Sequence, residues 1–108
     1  MATMSLFAFQ SGATATGNGT PLSCANVYRG VTIQVEGIGT ATVDFEITAD
    51  GSNYHPLQVL YMETGEGVTE TDADGVFAAP ALVRQASYLR CPISAYTSGT
   101  ITVSARYD

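Results

Sequence analysis

The stretch from Gly37 to Gln58 holds the side chains of this sequence that are best suited to chemistry. It contains the only histidine, His55, and two carboxylates, Asp44 and Glu46, on alternate residues. A histidine can serve as a general base or a metal ligand, and a carboxylate pair can hydrolyse a glycosidic bond. Whether these residues form a site depends on the elements that carry them.

His55 lacks the partners that nucleophilic catalysis requires. Such catalysis needs a Ser or Cys nucleophile, a base beside it and an acid that orients the base. His55 precedes Pro56 at the junction of a turn and a strand, and Ser52, Cys24 and Cys91 stand in no recognisable nucleophile motif. We interpret His55 as a turn residue and expect no enzymatic activity; the alternative is a small hydrolase that uses His55.

Asp44 and Glu46 lie within TATVDFEIT, a segment of strict alternation. Ala41, Val43 and Phe45 share one face of the predicted strand, so the two carboxylates share the other. Carboxylates on an open, solvated sheet face have no means of moving their pKa values apart, as acid–base catalysis requires. They are therefore expected to be solvated surface residues.

The acidic segment 63–75 contains a possible calcium turn, Thr71-Asp72-Ala73-Asp74-Gly75. A calcium loop needs six to eight oxygen ligands, with glycine at its sixth position and glutamate at its twelfth. Here the glycine follows the second aspartate directly and no glutamate lies downstream. Asp72 and Asp74 are candidate calcium ligands, but a solvated loop is the expected structure, and no metal or other cofactor is predicted.

The charge of the chain excludes two classes of partner. Net charge is −6, with no lysine and four arginines against ten carboxylates. Nucleic-acid binding and attraction to anionic membranes both draw on clustered Lys and Arg. No apolar run approaches the roughly 20 residues of a membrane-spanning helix. The sequence therefore predicts neither a nucleic-acid partner nor a membrane partner.

Cys24 and Cys91 lie far apart in the sequence. They could close one disulfide, but two cysteines define no framework. Free buried thiols that behave as small apolar residues are the favoured alternative.

The elements that carry these residues are predicted to be strands. VTIQVEG and TATVDFEIT each alternate apolar and polar residues, which is typical of half-buried antiparallel strands. Gly37–Thr40 is predicted to be a hairpin link between them, Ala49–Asn53 an Asp-Gly turn, and Tyr96–Thr100 a second hairpin turn. The sequence thus predicts an all-β fold, an antiparallel β-sandwich or jelly-roll-like barrel of about six to eight short strands.

The N-terminal residues 1–20 are predicted to be a flexible arm that precedes a single domain at 21–108. Leu6, Phe7 and Phe9 form an apolar cluster, and SGATATGNGT after them has little ability to pack. Such an arm is expected to become ordered on a partner. Leu6, Phe7 and Phe9 are therefore the predicted partner-binding residues.

Four segments carry a resemblance to a known group of proteins. GNGTPLS opens the domain, the strand–turn–strand segment runs from Val31 to Gln58, ASYLRCPIS forms a late strand, and YTSGTITVSARY forms the closing strands. From residue 17 to the C-terminus, the chain resembles small β-rich virion proteins of tailed bacteriophages. It departs from the group at Tyr54, where tryptophan is usual, and at Cys24 and Cys91.

The resemblance implies a non-enzymatic capsid decoration, or cementing, protein that stabilises the head lattice. Its expected partners are the major capsid protein and itself, as a homo-oligomer with a trimer as the first guess. Its expected location is the capsid surface of the virion, after synthesis in the host cytoplasm. The N-terminal arm would lie along a neighbouring subunit and bridge lattice joints by strand addition.

A second function remains open from the sequence. Head-fibre and tail-fibre modules bind host-surface carbohydrate, and sugars stack on exposed aromatic rings. Six tyrosines are available for this, with calcium at Asp72 and Asp74 as a further element.

Overall fold

The computed structural model describes residues 5–108, which form eleven β-strands and two short 3-10 helices. The strands are β1 (Ser5–Ala13), β2 (Leu22–Ser23), β3 (Val31–Asp44), β4 (Glu46–Thr48), β5 (His55–Pro56), β6 (Val59–Tyr61), β7 (Glu66–Val68), β8 (Glu70–Thr71), β9 (Gly75–Ala78), β10 (Tyr88–Arg90) and β11 (Ile93–Tyr107). The 3-10 helices span Cys24–Asn26 and Ala81–Gln85. Within the described part of the chain, no helix is long and apolar enough to cross a membrane.

The strands form two antiparallel sheets. One sheet has seven strands in the order β1-β11-β3-β9-β6-β7, with β8 paired to the far part of β3. The other has four strands in the order β2-β10-β4-β5. The predicted all-β, antiparallel sandwich is confirmed.

The chain passes from the larger sheet to the smaller one at Phe45, between β3 and β4. Phe45 is fully buried and its ring centroid lies 5.0 Å from that of Phe77. Tyr61 stacks on Phe77, with the two ring centroids 4.8 Å apart. These rings anchor one continuous core, because offset and stacked aromatic pairs add stabilisation beyond the area that they bury.

The two predicted hairpin turns at Gly37–Thr40 and Tyr96–Thr100 are wrong. Both segments lie inside long strands, because β3 spans 14 residues and β11 spans 15. The two strands pair from Val31 opposite Tyr107 to Val43 opposite Ile93, with shifts of register around Gly99. The strands therefore bend at bulges instead of reversing, and they are longer than the short strands predicted.

Glycines make this bend possible. Gly37 has a φ of 86° and Gly99 a φ of 123°, conformations that other L-residues rarely adopt. A Cβ atom on Gly37 would overlap the carbonyl oxygen of Thr100. The Asp74 carboxylate closes the bulge by accepting hydrogen bonds from the backbone N–H groups of Gly37, at 3.2 Å, and Ile38, at 2.9 Å.

Replacing Gly37 with alanine is expected to destabilise the fold by about 2 kcal/mol or more, through backbone strain and the overlap with Thr100. Gly30→Ala is the matched control, because a Cβ atom at Gly30 meets no atom within 4 Å and its φ is not positive. Urea unfolding of the two variants measures the difference. Equal stabilities would contradict a bulge that depends on glycine.

The prediction of a flexible arm at residues 1–20 is wrong for residues 5–13. This segment is β1, which pairs with β11 from Ser5 opposite Tyr107 to Ala13 opposite Ile101. Phe9 is only 1% exposed and belongs to the core, where its ring meets the ring of Phe7 at 5.1 Å. The physical reason is that β11 offers an open edge on which the apolar face of the segment can be buried.

The segment after β1 is also attached to the fold. The Thr20 N–H donates to the Phe9 carbonyl at 2.9 Å, and Gly17 forms a bridge with Ile93. The predicted boundary at residue 21 therefore does not separate β1 from the domain. Residues 1–4, the first part of the predicted arm, lie outside the described residues.

Phe9→Ala is expected to cost about 3–5 kcal/mol of stability, the usual range for removing a buried phenylalanine ring. Leu6→Ala on the same strand should change stability by no more than about 0.5 kcal/mol, because Leu6 is 83% exposed. Thermal or urea unfolding of both variants tests this. If Phe9→Ala were as stable as Leu6→Ala, Phe9 would not be part of the core, and the prediction of a flexible arm would stand.

Candidate partner-binding surface

The carboxylates of the opening stretch do not meet as a catalytic pair. Asp44 ends β3 in one sheet and accepts a hydrogen bond from the Ser94 hydroxyl at 3.0 Å. Glu46 begins β4 in the other sheet and pairs with Arg90 at 2.8 Å. Both side chains are half-buried, so they are more enclosed than the solvated residues predicted.

Arg90 joins Glu46 to Tyr54. Its guanidinium lies 3.7 Å from the centre of the Tyr54 ring while its Nε donates to Glu46. A planar guanidinium can donate from its edge to the carboxylate while its face lies over the ring. The Arg90 guanidinium covers one face of the Tyr54 ring, so a sugar cannot stack on that face.

His55 is exposed in β5, opposite Ile47 of β4. It follows the Asp-Gly turn predicted at Ala49–Asn53. The Asp50 carboxylate organises this turn, accepting hydrogen bonds from the backbone N–H groups of Ser52 and Asn53, both at 2.8 Å, and from the Asn53 amide at 2.7 Å. These bonds, with a further one from Thr48, hold the pKa of Asp50 well below its usual range.

Asp50→Asn is expected to destabilise the protein at neutral pH. Because the pKa of Asp50 is lower in the folded than in the unfolded state, its contribution is fully present above the unfolded pKa of about 4 and is lost as pH falls through the folded value. The stability difference between wild type and Asp50→Asn should therefore shrink below about pH 4.

Urea midpoints measured from pH 7 down to pH 2 test this dependence. Asp72→Asn is the control, because Asp72 is exposed and accepts no hydrogen bond from residues 5–108. A gap between wild type and Asp50→Asn that stayed constant over the acid range would contradict a depressed pKa at Asp50.

The candidate calcium residues, Asp72 and Asp74, have separate environments. Both oxygens of Asp74 accept hydrogen bonds from the bulge at Gly37 and Ile38, whereas Asp72 faces solvent. Across residues 5–108, no group of three or more His, Cys, Asp or Glu side chains is placed to hold a metal ion. The structural role of Asp74 was missed because the bulge itself was predicted to be a hairpin.

Cys24 and Cys91 are both free and buried, so the favoured alternative from the sequence is confirmed. Burial raises the pKa of the Cys24 thiol, and it raises the pKa of Cys91 further, with a contribution from the charge of Glu46. The thiolate is the reactive form of cysteine. Both residues therefore act as packing side chains.

The three predicted partner-binding residues have different environments. Phe9 is buried, Phe7 is half-buried against it, and Leu6 projects into solvent with 83% of its surface exposed. Only Leu6 offers a substantial apolar surface to a partner.

A second exposed surface was not predicted. Arg84 donates from its guanidinium to the Tyr28 carbonyl at 3.3 Å, and the N–H of Arg29 donates to the Asp108 carbonyl at 2.7 Å. Arg106 lies two residues from Asp108, in register with Thr32 of β3. We call this surface the arginine end and define it by five exposed residues, Tyr28, Arg29, Leu82, Arg84 and Arg106.

The charges of the arginine end are uncompensated within the described chain. Among residues 5–108, the only salt bridge is between Arg90 and Glu46, so none of the three arginines here has a carboxylate within 4.0 Å. Asp108 is the one carboxylate at this end of the sheet. Tyr28 is 74% exposed and Leu82 is 70% exposed, so apolar surface lies beside the cations. Tyr and Arg are enriched at the centres of protein interfaces.

The acidic side chains lie towards the opposite end of β3. Glu66, Glu70 and Asp72 line a common hollow, and Glu70 pairs with Asp44 at the end of the strand. The run from Thr32 to Asp44 spans at most roughly 40 Å at the usual rise of a strand. The molecule thus has a cationic end and an anionic end. The residues of each are scattered in the sequence, so only the register of the sheet brings them together.

A surface hollow of about 450 Å³ lies between Leu60, Ala78 and Pro80. Its lining contains no Asp, Glu, His, Cys, Lys or Arg side chain. It therefore offers no group for acid–base or nucleophilic chemistry.

No protein-family model and no curated protein matches this chain. Two solved structures share its fold. The PBSX exported protein XepA has a TM-score of 0.87 at 16% identity, with 96% of this chain and 37% of that chain covered. The SPBc2 prophage-derived protein YomS has a TM-score of 0.84 at 13% identity, with 96% of this chain and 91% of that chain covered. At these identities the likeness establishes the fold.

Proposed function

We propose that this chain is a structural protein of a tailed-bacteriophage particle, and that it decorates the capsid by binding without catalysis. The observation that carries the proposal is the shared fold with one prophage-derived protein and one PBSX protein over 96% of the chain. The strand and turn motifs quoted above, which resemble β-rich virion proteins, point to the same class.

The absence of a plausible reaction centre within residues 5–108 favours binding over catalysis. His55 is exposed on a two-residue strand, Asp44 and Glu46 each have a structural partner, and both thiols are buried. Acid–base or nucleophilic chemistry needs such groups side by side in a cavity.

The arginine end is the proposed contact with the major capsid protein. Three unpaired cations on a chain of net charge −6 favour an anionic surface on the partner. Tyr28 and Leu82 would supply the apolar contacts at its centre. A copy that touches two capsid subunits would hold them together, since release then requires both contacts to break at once.

The second function, a fibre module that binds carbohydrate, receives less support from the tyrosines. Only Tyr28 and Tyr88 are exposed, at 74% and 38%, and one face of Tyr54 is occupied by Arg90. The described residues therefore present no row of free rings on which a glycan would stack.

Particles of the phage that encodes the chain provide the test. We expect the chain in purified particles, at a copy number that matches the head lattice, and we expect particles grown without it to release DNA at a lower temperature. Quantitative mass spectrometry and cryo-electron microscopy of the particles measure copy number and position. Absence from the particles would overturn the structural role, and a position on the tail would favour the fibre module.

Add-back to the depleted particles tests the arginine end. Arg29→Glu with Arg84→Glu is expected to weaken binding by about tenfold or more, because two favourable charges become repulsive. Glu66→Arg with Glu70→Arg changes the charge by the same magnitude, with the opposite sign, at the opposite end and should leave binding within about twofold. Equal losses for both double variants would contradict a localised contact.

A further inference from the structure

We propose that two copies of this chain pair antiparallel through the first half of β1, so that their seven-stranded sheets join into one. This inference concerns the chain alone and does not depend on the presence of a capsid. It rests on how differently the edges of the two sheets are protected.

Most edges of the fold are short and carry a feature that opposes strand addition. Natural sheets protect their edges with brevity, charge or proline. β7 begins at Glu66 and β8 contains Glu70, whereas β5 contains Pro56 and β2 directly follows Pro21; each has two or three residues.

The edge formed by β1 has none of these features. It is nine residues long, SLFAFQSGA, with no charged residue and no proline. Residues 1–20 contain no charged side chain at all, although the whole chain has fourteen. Leu6 lies on this edge with 83% of its surface exposed. An uncharged, apolar, unprotected edge is a template for another strand.

The second half of β1 is covered from within the chain. The Thr20 N–H donates to the Phe9 carbonyl, and the Gln10 side chain donates to the Gly17 carbonyl at 3.1 Å. Register shifts after Ala8 further disturb this half. Among residues 5–108, only β11 pairs with Ser5–Ala8, so the outer side of that segment is open.

The charge distribution favours a second copy as the occupant. The open segment itself carries no charge, and Arg106 is the charged residue in register with it, opposite Leu6. The acidic hollow at Glu66 and Glu70 lies at the far end of β3. Two copies that meet edge to edge therefore keep their acidic hollows apart, whereas their net charges of −6 oppose contact elsewhere on the surface.

An antiparallel pair of identical strands is related by a two-fold axis, which makes the interface self-complementary. An antiparallel register with Leu6 opposite Leu6 of the second copy places the outer faces of both sheets on the same side, and the two Leu6 side chains then cover each other. Pairing joins copies in twos, so it implies an even number of subunits instead of the trimer that the resemblance suggested.

Reciprocal charge variants at Leu6 test the pairing. Wild type is expected to show a concentration-dependent monomer–dimer equilibrium in sedimentation-equilibrium experiments up to about 1 mM. Leu6→Lys and Leu6→Glu should each weaken it by about tenfold or more, since like charges face each other. An equimolar mixture of the two variants should dimerise again, because opposite charges then face each other.

Met62→Lys and Met62→Glu are matched controls, because Met62 is 57% exposed in the turn after β6, at the opposite edge of the larger sheet. They should dimerise as wild type does, and circular dichroism checks that every variant is folded. A wild-type chain that stays monomeric, or a Leu6→Lys variant that dimerises as well as wild type, overturns the proposal. A mixture that remains monomeric also overturns self-pairing and assigns the edge to a different protein.

Discussion

The pairing of β3 with β11 is the constraint on which the rest of the structure depends. These strands run together from Val31 opposite Tyr107 to Val43 opposite Ile93, and every other strand of the larger sheet is built outward from them. The pairing continues through the bend because Gly37 and Gly99 adopt positive φ and the Asp74 carboxylate accepts hydrogen bonds from the N–H groups of the bulge. One carboxylate and two glycines thus keep continuous a ladder that would otherwise break in the middle.

The same pairing positions both surfaces that are available to partners. It places Arg106 beside the start of β3, where Arg29 and Arg84 converge on Tyr28 and Asp108. It also leaves the outer edge of β11 open, and β1 fills that edge by burying Phe9. The exposed side of β1 then becomes the new edge of the sheet. Binding surfaces in this molecule are thus consequences of strand register, which suits a protein that acts by contact.

Alternation in the sequence was sufficient to predict the fold class but not the path of the chain. VTIQVEG is a strand, as its period of two requires, and Asp50-Gly51 forms the turn predicted for it, but TATVDFEIT is divided at Phe45 between β3 and β4. The predicted links between strands were wrong, because a glycine at positive φ can serve either a hairpin turn or a bulge. The choice between them is made by Thr100 and Asp74, which are distant in sequence. The prediction for Phe9 was wrong for a related reason. Its burial depends on the open edge of β11, which lies far from it in the sequence. The arginine end has no local signal, since its residues meet only through long-range register.

Hydrogen exchange of the backbone amides tests the central role of the β3–β11 ladder most directly. We expect that amides of β3 and β11 on both sides of Gly37 and Gly99 exchange slowly and together, and that the amides of β1 that pair with β11 are protected with them. Rapid exchange across residues 37–40 and 97–100, with no protected amide in β1, would contradict it. That result would mean that hairpins and a free arm, as the sequence predicted, describe the molecule better.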